Sequence, residues 1–216
     1  MQFRTAPIAA AAIAILLTGC SKEGDLVVEQ GVGITALRSV CPAVGVPNYT
    51  GDVTLFTAPG TYTADALDVT AAITNVRSTC NDTAEQVYSE ATFDVIATRR
   101  NAAGARSVQL PYYSTVVRGG TSVVAKRLGT VTVNFADGQE RAQASATAGA
   151  YVNRAEATLP EDIREQITRR RRAGDQSAAI DPLSTPEVRA AVARASFELL
   201  VGFQLTEDQL RYNATK

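Results

Sequence analysis

Three cysteines, Cys20, Cys41 and Cys80, are the side chains whose type offers covalent chemistry. A thiolate can take a lipid, a metal or a second sulfur. No reactive set surrounds them. The chain has no histidine, which excludes Ser-His-Asp and Cys-His constellations and histidine metal sites. A Ser–Lys pair would have to use Lys22, Lys126 or Lys216. Two of these lie near the termini, and Lys126 lies in an expected strand without a Ser-x-x-Lys spacing. Acidic pairs occur at Asp65 with Asp68, Glu161-Asp162 and Glu207-Asp208. Each fits a loop or a helix N-terminus, where the helix dipole favours acids. Sugar hydrolysis would also want aromatic platforms, and tryptophan is absent. There is no EF-hand spacing, phosphate loop or dinucleotide fingerprint. The expectation is a protein without catalysis, metal or cofactor.

Cys20 closes an apolar run. Arg4 supplies a positive start, and Ile8 to Leu17 holds only Ala, Ile and Leu. Such a run is too short for a hydrocarbon core of about 30 Å, which needs about 20 helical residues. It has the anatomy of a secretory signal. Small residues precede the cysteine, and polar Ser21-Lys22-Glu23-Gly24-Asp25 follow it. Leu17-Thr18-Gly19-Cys20 resembles the lipobox of bacterial lipoproteins at every position. That resemblance implies cleavage after residue 19 and acylation of Cys20. A single acyl chain binds a membrane only marginally, so the diacylglyceryl and N-acyl groups it implies meet the need for two anchors or more. In enterobacterial lipoproteins an aspartate at this position favours the inner membrane, so by the same resemblance Ser21 leans the expected location toward the outer membrane, facing the periplasm. The alternatives are an ordinary cleaved signal with an incidental Cys20, or an uncleaved anchor helix.

With Cys20 acylated, Cys41 and Cys80 remain as an even pair in an oxidising compartment, and a disulfide between them is expected. The alternative is two buried free thiols. The full chain carries a net charge of −1, and loss of Arg4 with the signal takes it to −2. That balance points to neither nucleic acid nor a strong pull toward anionic lipid.

The elements that position these groups follow from periodicity. Residues 20–30 read as a polar tether. Residues 31–154 read as strands: 53–57, 68–77, 86–99, 107–117, 121–135 and 139–151. In the third of these, Val87, Ala91, Phe93, Val95 and Ala97 share one face, with Ile96 as an exception on the other. Asn101-Ala102-Ala103-Gly104, Gly119-Gly120 and Asp137-Gly138 read as hairpin turns. Pro111 marks an edge or a bulge, and a bulge is expected near Leu128-Gly129. Ala142, Ala144, Ala146, Ala148 and Ala150 share one face. That row fits either close packing within the domain or a groove for a partner segment. The fold class is mainly β, an immunoglobulin-like or transthyretin-like antiparallel β-sandwich with a C-terminal α-helical extension over residues 155–216.

In that extension Pro160 opens a helix running to about Arg172. Arg169-Arg170-Arg171-Arg172 at its end fits either a solvated helix end or a patch for nucleic acid or phospholipid. Thr185 and Pro186 open a second helix, on which Val188, Val192, Ala195 and Leu199 share a face. The expected helix continues through Phe197, Leu200, Val201, Phe203 and Leu205, apolar nearly all round, so it is buried or partnered. Those five residues are the candidate partner-binding surface, with exposed strand edges next. Thr206 and Gln209 form a capping-box pattern for a final turn.

Together these readings lead to a lipid-anchored envelope protein of non-catalytic type. It would be a protein-binding accessory or assembly subunit at the outer membrane, held there by acyl chains on Cys20, with another envelope protein as partner. The alternative is a periplasmic lipoprotein that binds a small ligand or a glycan.

Overall fold

The computed structural model describes residues 39–169, 174 and 180–216. Cys20 and Arg170 to Arg172 lie outside them. The described chain is mainly β. Its strands are β1 (Ala43–Gly45), β2 (Asp52–Phe56), β3 (Leu67–Asn81), β4 (Gln86–Arg99), β5 (Arg106–Arg118), β6 (Ser122–Phe135), β7 (Arg141–Asn153) and β8 (Phe197–Phe203). Helices α1 (Arg154–Ala157), α2 (Glu161–Thr168) and α3 (Pro186–Ala195) precede β8, and α4 (Glu207–Thr215) ends the chain. Two four-stranded sheets form, in the orders β1-β8-β5-β6 and β2-β3-β4-β7. All pairings are antiparallel except β1 with β8.

The alternation expected for β4 holds along its whole length. Val87, Ala91, Phe93, Val95 and Ala97 are buried, and Ile96 is exposed on the opposite face. Ala91, Phe93, Val95 and Ala97 meet Val108, Leu110, Val116, Val131, Val133 and Phe135 from the other sheet in one core. Burial of each such Val, Leu or Phe is worth about 1.5–3 kcal/mol.

Two of the expected hairpins are not hairpins. The turns at 101–104 and 137–138 form, and Gly104 and Gly138 take the positive φ such turns require. Yet β4 and β5 belong to different sheets, as do β6 and β7. Each turn is an arch that carries the chain across the core. Arg99 joins the two arches. It is 2 % exposed. Its Nε donates to the Gln139 carbonyl (2.7 Å), Nη1 to Gly104 (2.8 Å), and Nη2 to Ala102 (2.6 Å) and Ala136 (2.9 Å). The Gly138 N–H donates to the Ala102 carbonyl and the Gly104 N–H to Asp137 Oδ1, which completes the link. The guanidinium also lies 5.1 Å from the centre of the Phe135 ring.

At the same end of the sandwich Arg106 of β5 donates two 2.6 Å hydrogen bonds to the carboxylate of Asp68 on β3. These bonds hold the Asp68 carboxyl below its ordinary value, against a smaller opposing effect of burial. A carboxyl lowered by folding stabilises above its unfolded value and loses that contribution as pH falls through its folded value. Asp68→Asn should therefore flatten the acid limb of the stability curve below about pH 4. The effect should stay within about 1 kcal/mol, since Arg106 is well solvated. Chemical denaturation at pH 3 and pH 7 checks it.

Cys41 and Cys80 are joined, with Cα atoms 6.1 Å apart. The bond ties the segment before β1 to the end of β3, and so one sheet to the other. The closed loop is 39 residues in sequence, for which chain entropy gives about 4 kcal/mol. Reduction, or the Cys41→Ser/Cys80→Ser pair, should lower the unfolding free energy by up to that amount. Urea unfolding with and without a reductant measures it.

The helical extension departs from expectation. The helix from Pro186 stops at Ala195, and residues 197–203 form β8, a strand between β1 and β5. Helices α2 and α3 pack on each other through Ile163, Ile167, Val188 and Ala191, a small core of their own. The capping box of Thr206 and Gln209 is present at the start of α4. Asn213 then fastens α4 to the sandwich by donating to the carbonyls of Tyr49 (2.9 Å) and Asp52 (2.8 Å).

Candidate functional site: an open strand edge

The expected partner surface is inside the molecule. Phe197, Val201 and Phe203 are buried in β8 alongside Leu199, and Phe203 is 1 % exposed. Leu200 is half-buried on the opposite face, and Leu205 is half-buried against the core. The physical reason is period. Phe197, Leu199, Val201 and Phe203 alternate, which is a strand face, whereas a helix would spread them around its axis. The opposite face is covered too: Thr50 and the Tyr113 hydroxyl crowd Gly202 so closely that a β-carbon there would meet Thr50 Oγ1 at 2.4 Å.

The alanine row is also accounted for within the fold. Ala148 and Ala150 are core residues, and Ala142, Ala144 and Ala146 pack against that core. Tyr112 of β5 crosses to this strand, and its hydroxyl donates to the Thr147 carbonyl at 3.1 Å. The ring of Tyr112 lies on Gly129 of β6, where a β-carbon would meet it at 2.4 Å. Pairing of β5 with β6 continues unshifted through Leu128 and Gly129. The expected bulge is therefore absent there, and the glycine instead admits a ring. The bulge lies further on, between Val116 and Val117, opposite Val123 to Ala125. Pro111 sits just past the last β5–β8 pair, Tyr112 with Phe203, where its missing N–H faces no strand.

Strand β6 offers a further surface. It ends the sheet order, so its outer backbone edge has no strand partner within that sheet. Its two halves differ. From Thr130 to Phe135 exposed and buried residues alternate, with Val131, Val133 and Phe135 in the core. From Ser122 to Leu128 every residue is exposed. Three of these are large and apolar: Val123 at 64 %, Val124 at 56 % and Leu128 at 69 %. A tight turn over Gly119-Gly120, both with positive φ, launches the strand, a conformation glycine adopts without strain. The Gly119 N–H is held by the Ser196 carbonyl, which fixes the turn to the chain between α3 and β8. Sequence reasoning named strand edges in general. Four strands, β1, β2, β6 and β7, end a sheet order; what singles out β6 is its wholly exposed half, Ser122 to Leu128, and both are matters of tertiary pairing.

The cations on this stretch are Lys126 and Arg127. Lys126 Nζ lies 5.0 Å from the centre of the Tyr113 ring. Among the described ion pairs neither residue has a carboxylate partner.

Concave sites lie elsewhere on the molecule, one of about 590 Å³ beside Glu85 and Arg154. A cleft of about 270 Å³ lies beside Phe56, Tyr62, Thr206 and Gln209, below the 300–1,000 Å³ range of small-molecule pockets. A larger one of about 740 Å³ lies between α2 and residues 180–185, with Asp162, Glu165 and Arg169 on its walls. Among the described residues no three His, Cys, Asp or Glu side chains converge as a metal site would need. No described helix is long and apolar enough to cross a membrane. No protein family, curated protein or solved structure matches the chain.

Proposed function

We propose that this chain is a non-catalytic envelope lipoprotein that binds another envelope protein, as an accessory or assembly subunit, by accepting a strand at the edge of β6. Acyl chains on Cys20 hold it to the outer membrane, and the sandwich faces the periplasm. The observation that carries the binding step is the Ser122–Leu128 edge. It combines an unpaired backbone rim with three exposed apolar side chains, on a long strand whose guards are a bulge at Val123 to Ala125 and the edge cation Lys126. Strand addition uses such a rim for affinity and the alternating side chains for choice of partner. The anchor rests on the lipobox resemblance, and the Cys41–Cys80 bond supports an oxidising compartment. The immunoglobulin-like or transthyretin-like type of sandwich belongs to the same proposal. Two four-stranded sheets with first and last strands paired support it, while the consecutive run β2-β3-β4 in one sheet departs from the immunoglobulin strand order.

Two measurements test this. Radiolabelled palmitate should enter the wild-type chain and not Cys20→Ala, which should leave the membrane fraction. Affinity purification from solubilised membranes should recover one stoichiometric partner with the wild type and lose it with Val123→Asp/Leu128→Asp. Both side chains are exposed, so the variant should keep its unfolding midpoint. Retention of the partner by that folded variant would remove the edge from the account.

A second reading, glycan binding, is favoured by one observation. On the outer face of the other sheet Tyr88 and Tyr151 stand side by side, ring centres 4.8 Å apart, and Tyr151 is 62 % exposed. If it holds, the chain should pellet with isolated peptidoglycan sacculi, and Tyr151→Ala should not.

A further inference from the structure

We infer that the strand accepted by β6 is acidic: an extended segment of a partner protein in which Asp or Glu residues alternate with apolar ones. This rests on the reading of β6 as a docking edge and specifies what docks there. Backbone hydrogen bonds accept any sequence, so side chains set the choice. Ser122 to Leu128 spans about 23 Å of strand at about 3.3 Å per residue. The cross-strand pairs fix which side chains an incoming strand would meet. Val123, Lys126 and Leu128 oppose Val117, Thr115 and Tyr113 on one face. Ala125 and Arg127 oppose Val116 and Ser114 on the other. One face is thus apolar, cationic, apolar, and the second carries a cation as well. The stretch contains no acid.

Opposite charges directly across a strand pair stabilise it, and like charges destabilise it. An alternating strand whose acids fall on the Arg127 face puts its apolar residues beside Val123 and Leu128 and meets both demands, with the Lys126 charge at the same rim adding to the attraction. A second copy of this chain does not, because β6 against β6 would gather four cations and no acid on one ribbon. Lys126 is held near the Tyr113 ring, so its charge is already positioned beside the rim.

The test uses the full-length protein in detergent and two synthetic probes. One is a seven-residue acetylated and amidated peptide of alternating Val and Glu. The other is its Val–Lys twin. Amide shifts are followed by NMR titration. The inference expects the Glu peptide to shift the amides of residues 122–128 and to bind at least tenfold more tightly than the Lys twin. That advantage should shrink as salt is raised from 50 to 500 mM. Lys126→Glu/Arg127→Glu should reverse the preference.

Equal binding of the two peptides at 122–128 would overturn the charge inference and leave the docking edge standing. If neither peptide shifts 122–128, the inference fails, and Lys126 and Arg127 act as guards against edge pairing. If Val123→Asp/Leu128→Asp then still loses its partner, the edge reading survives that failure. A concentration-dependent dimer by sedimentation, with shifts in the same amides and no peptide added, would make a second copy the occupant and overturn the inference.

Discussion

Arg99→Met should lower the unfolding free energy by about 4–5 kcal/mol. In the wild type one guanidinium satisfies four carbonyls, those of Gln139, Gly104, Ala102 and Ala136. They belong to the arch from β4 to β5 and to the arch from β6 to β7. Methionine fills a similar volume and offers no donor. Each carbonyl left without a donor costs about 1–3 kcal/mol if water cannot reach it. Some of this is recovered, because the arches lie at the end of the sandwich and can relax toward solvent. For a domain of this size about 4 kcal/mol is a fall of roughly 8–16 °C in Tm. Arg99→Lys is the informative control. An ammonium carries three donors on a single atom and cannot form the planar fork that spans both arches. Lysine should therefore recover less than half of the loss. Thermal and urea unfolding of the three proteins decides it. A loss below about 1 kcal/mol for Arg99→Met would mean that the arches hold by their own turns.

Phe203→Asp should abolish folding. The side chain is 1 % exposed and lies in the main core with Phe93, Phe135 and Leu199. Truncating a buried Phe costs about 3–5 kcal/mol. A carboxylate in its place adds a desolvation penalty of several kcal/mol. Together these approach the whole stability of an ordinary domain, about 5–15 kcal/mol. Circular dichroism and protease resistance read the outcome. Leu128→Asp is the matched control, since the same change at a 69 % exposed position should stay within about 0.5 kcal/mol. A folded Phe203→Asp protein that had merely lost a partner would restore the C-terminal segment as a docking surface.

These variants also mark where the sequence could be read and where it could not. Local patterns were legible. The alternation in β4, the proline at the start of α3, and the Thr206–Gln209 capping box each depend on residues within a few positions of one another. The Cys41–Cys80 bond followed from counting once Cys20 was assigned to lipid. What failed was long-range. Asp137-Gly138 specifies a reversal of the chain, but nothing in the dipeptide says which sheet the next strand joins. Arg99 at the end of a strand resembles any surface cation, and only the meeting of two arches from distant sequence makes it interior. Gly129 permits either a bulge or the close approach of another group, and the group that approaches, Tyr112, comes from another strand. Residues 197–203 form a short apolar run that periodicity alone cannot divide between buried helix and buried strand. Its length of seven residues and its aromatic and β-branched content favour the strand. The open edge at Ser122–Leu128 was legible as a strand but not as a terminal one.

The docking role of β6 is tested most directly by crosslinking in intact cells. A photoreactive amino acid would be placed at Leu128 on the edge and, as a control, at Ile96, which is exposed on the outer face of the other sheet at 44 %. The account predicts one discrete crosslinked protein from position 128, none from position 96, and loss of the product when Val123 is changed to Asp in the same chain. Equal products from both positions, or a product from 128 that persists with Val123→Asp, would contradict it.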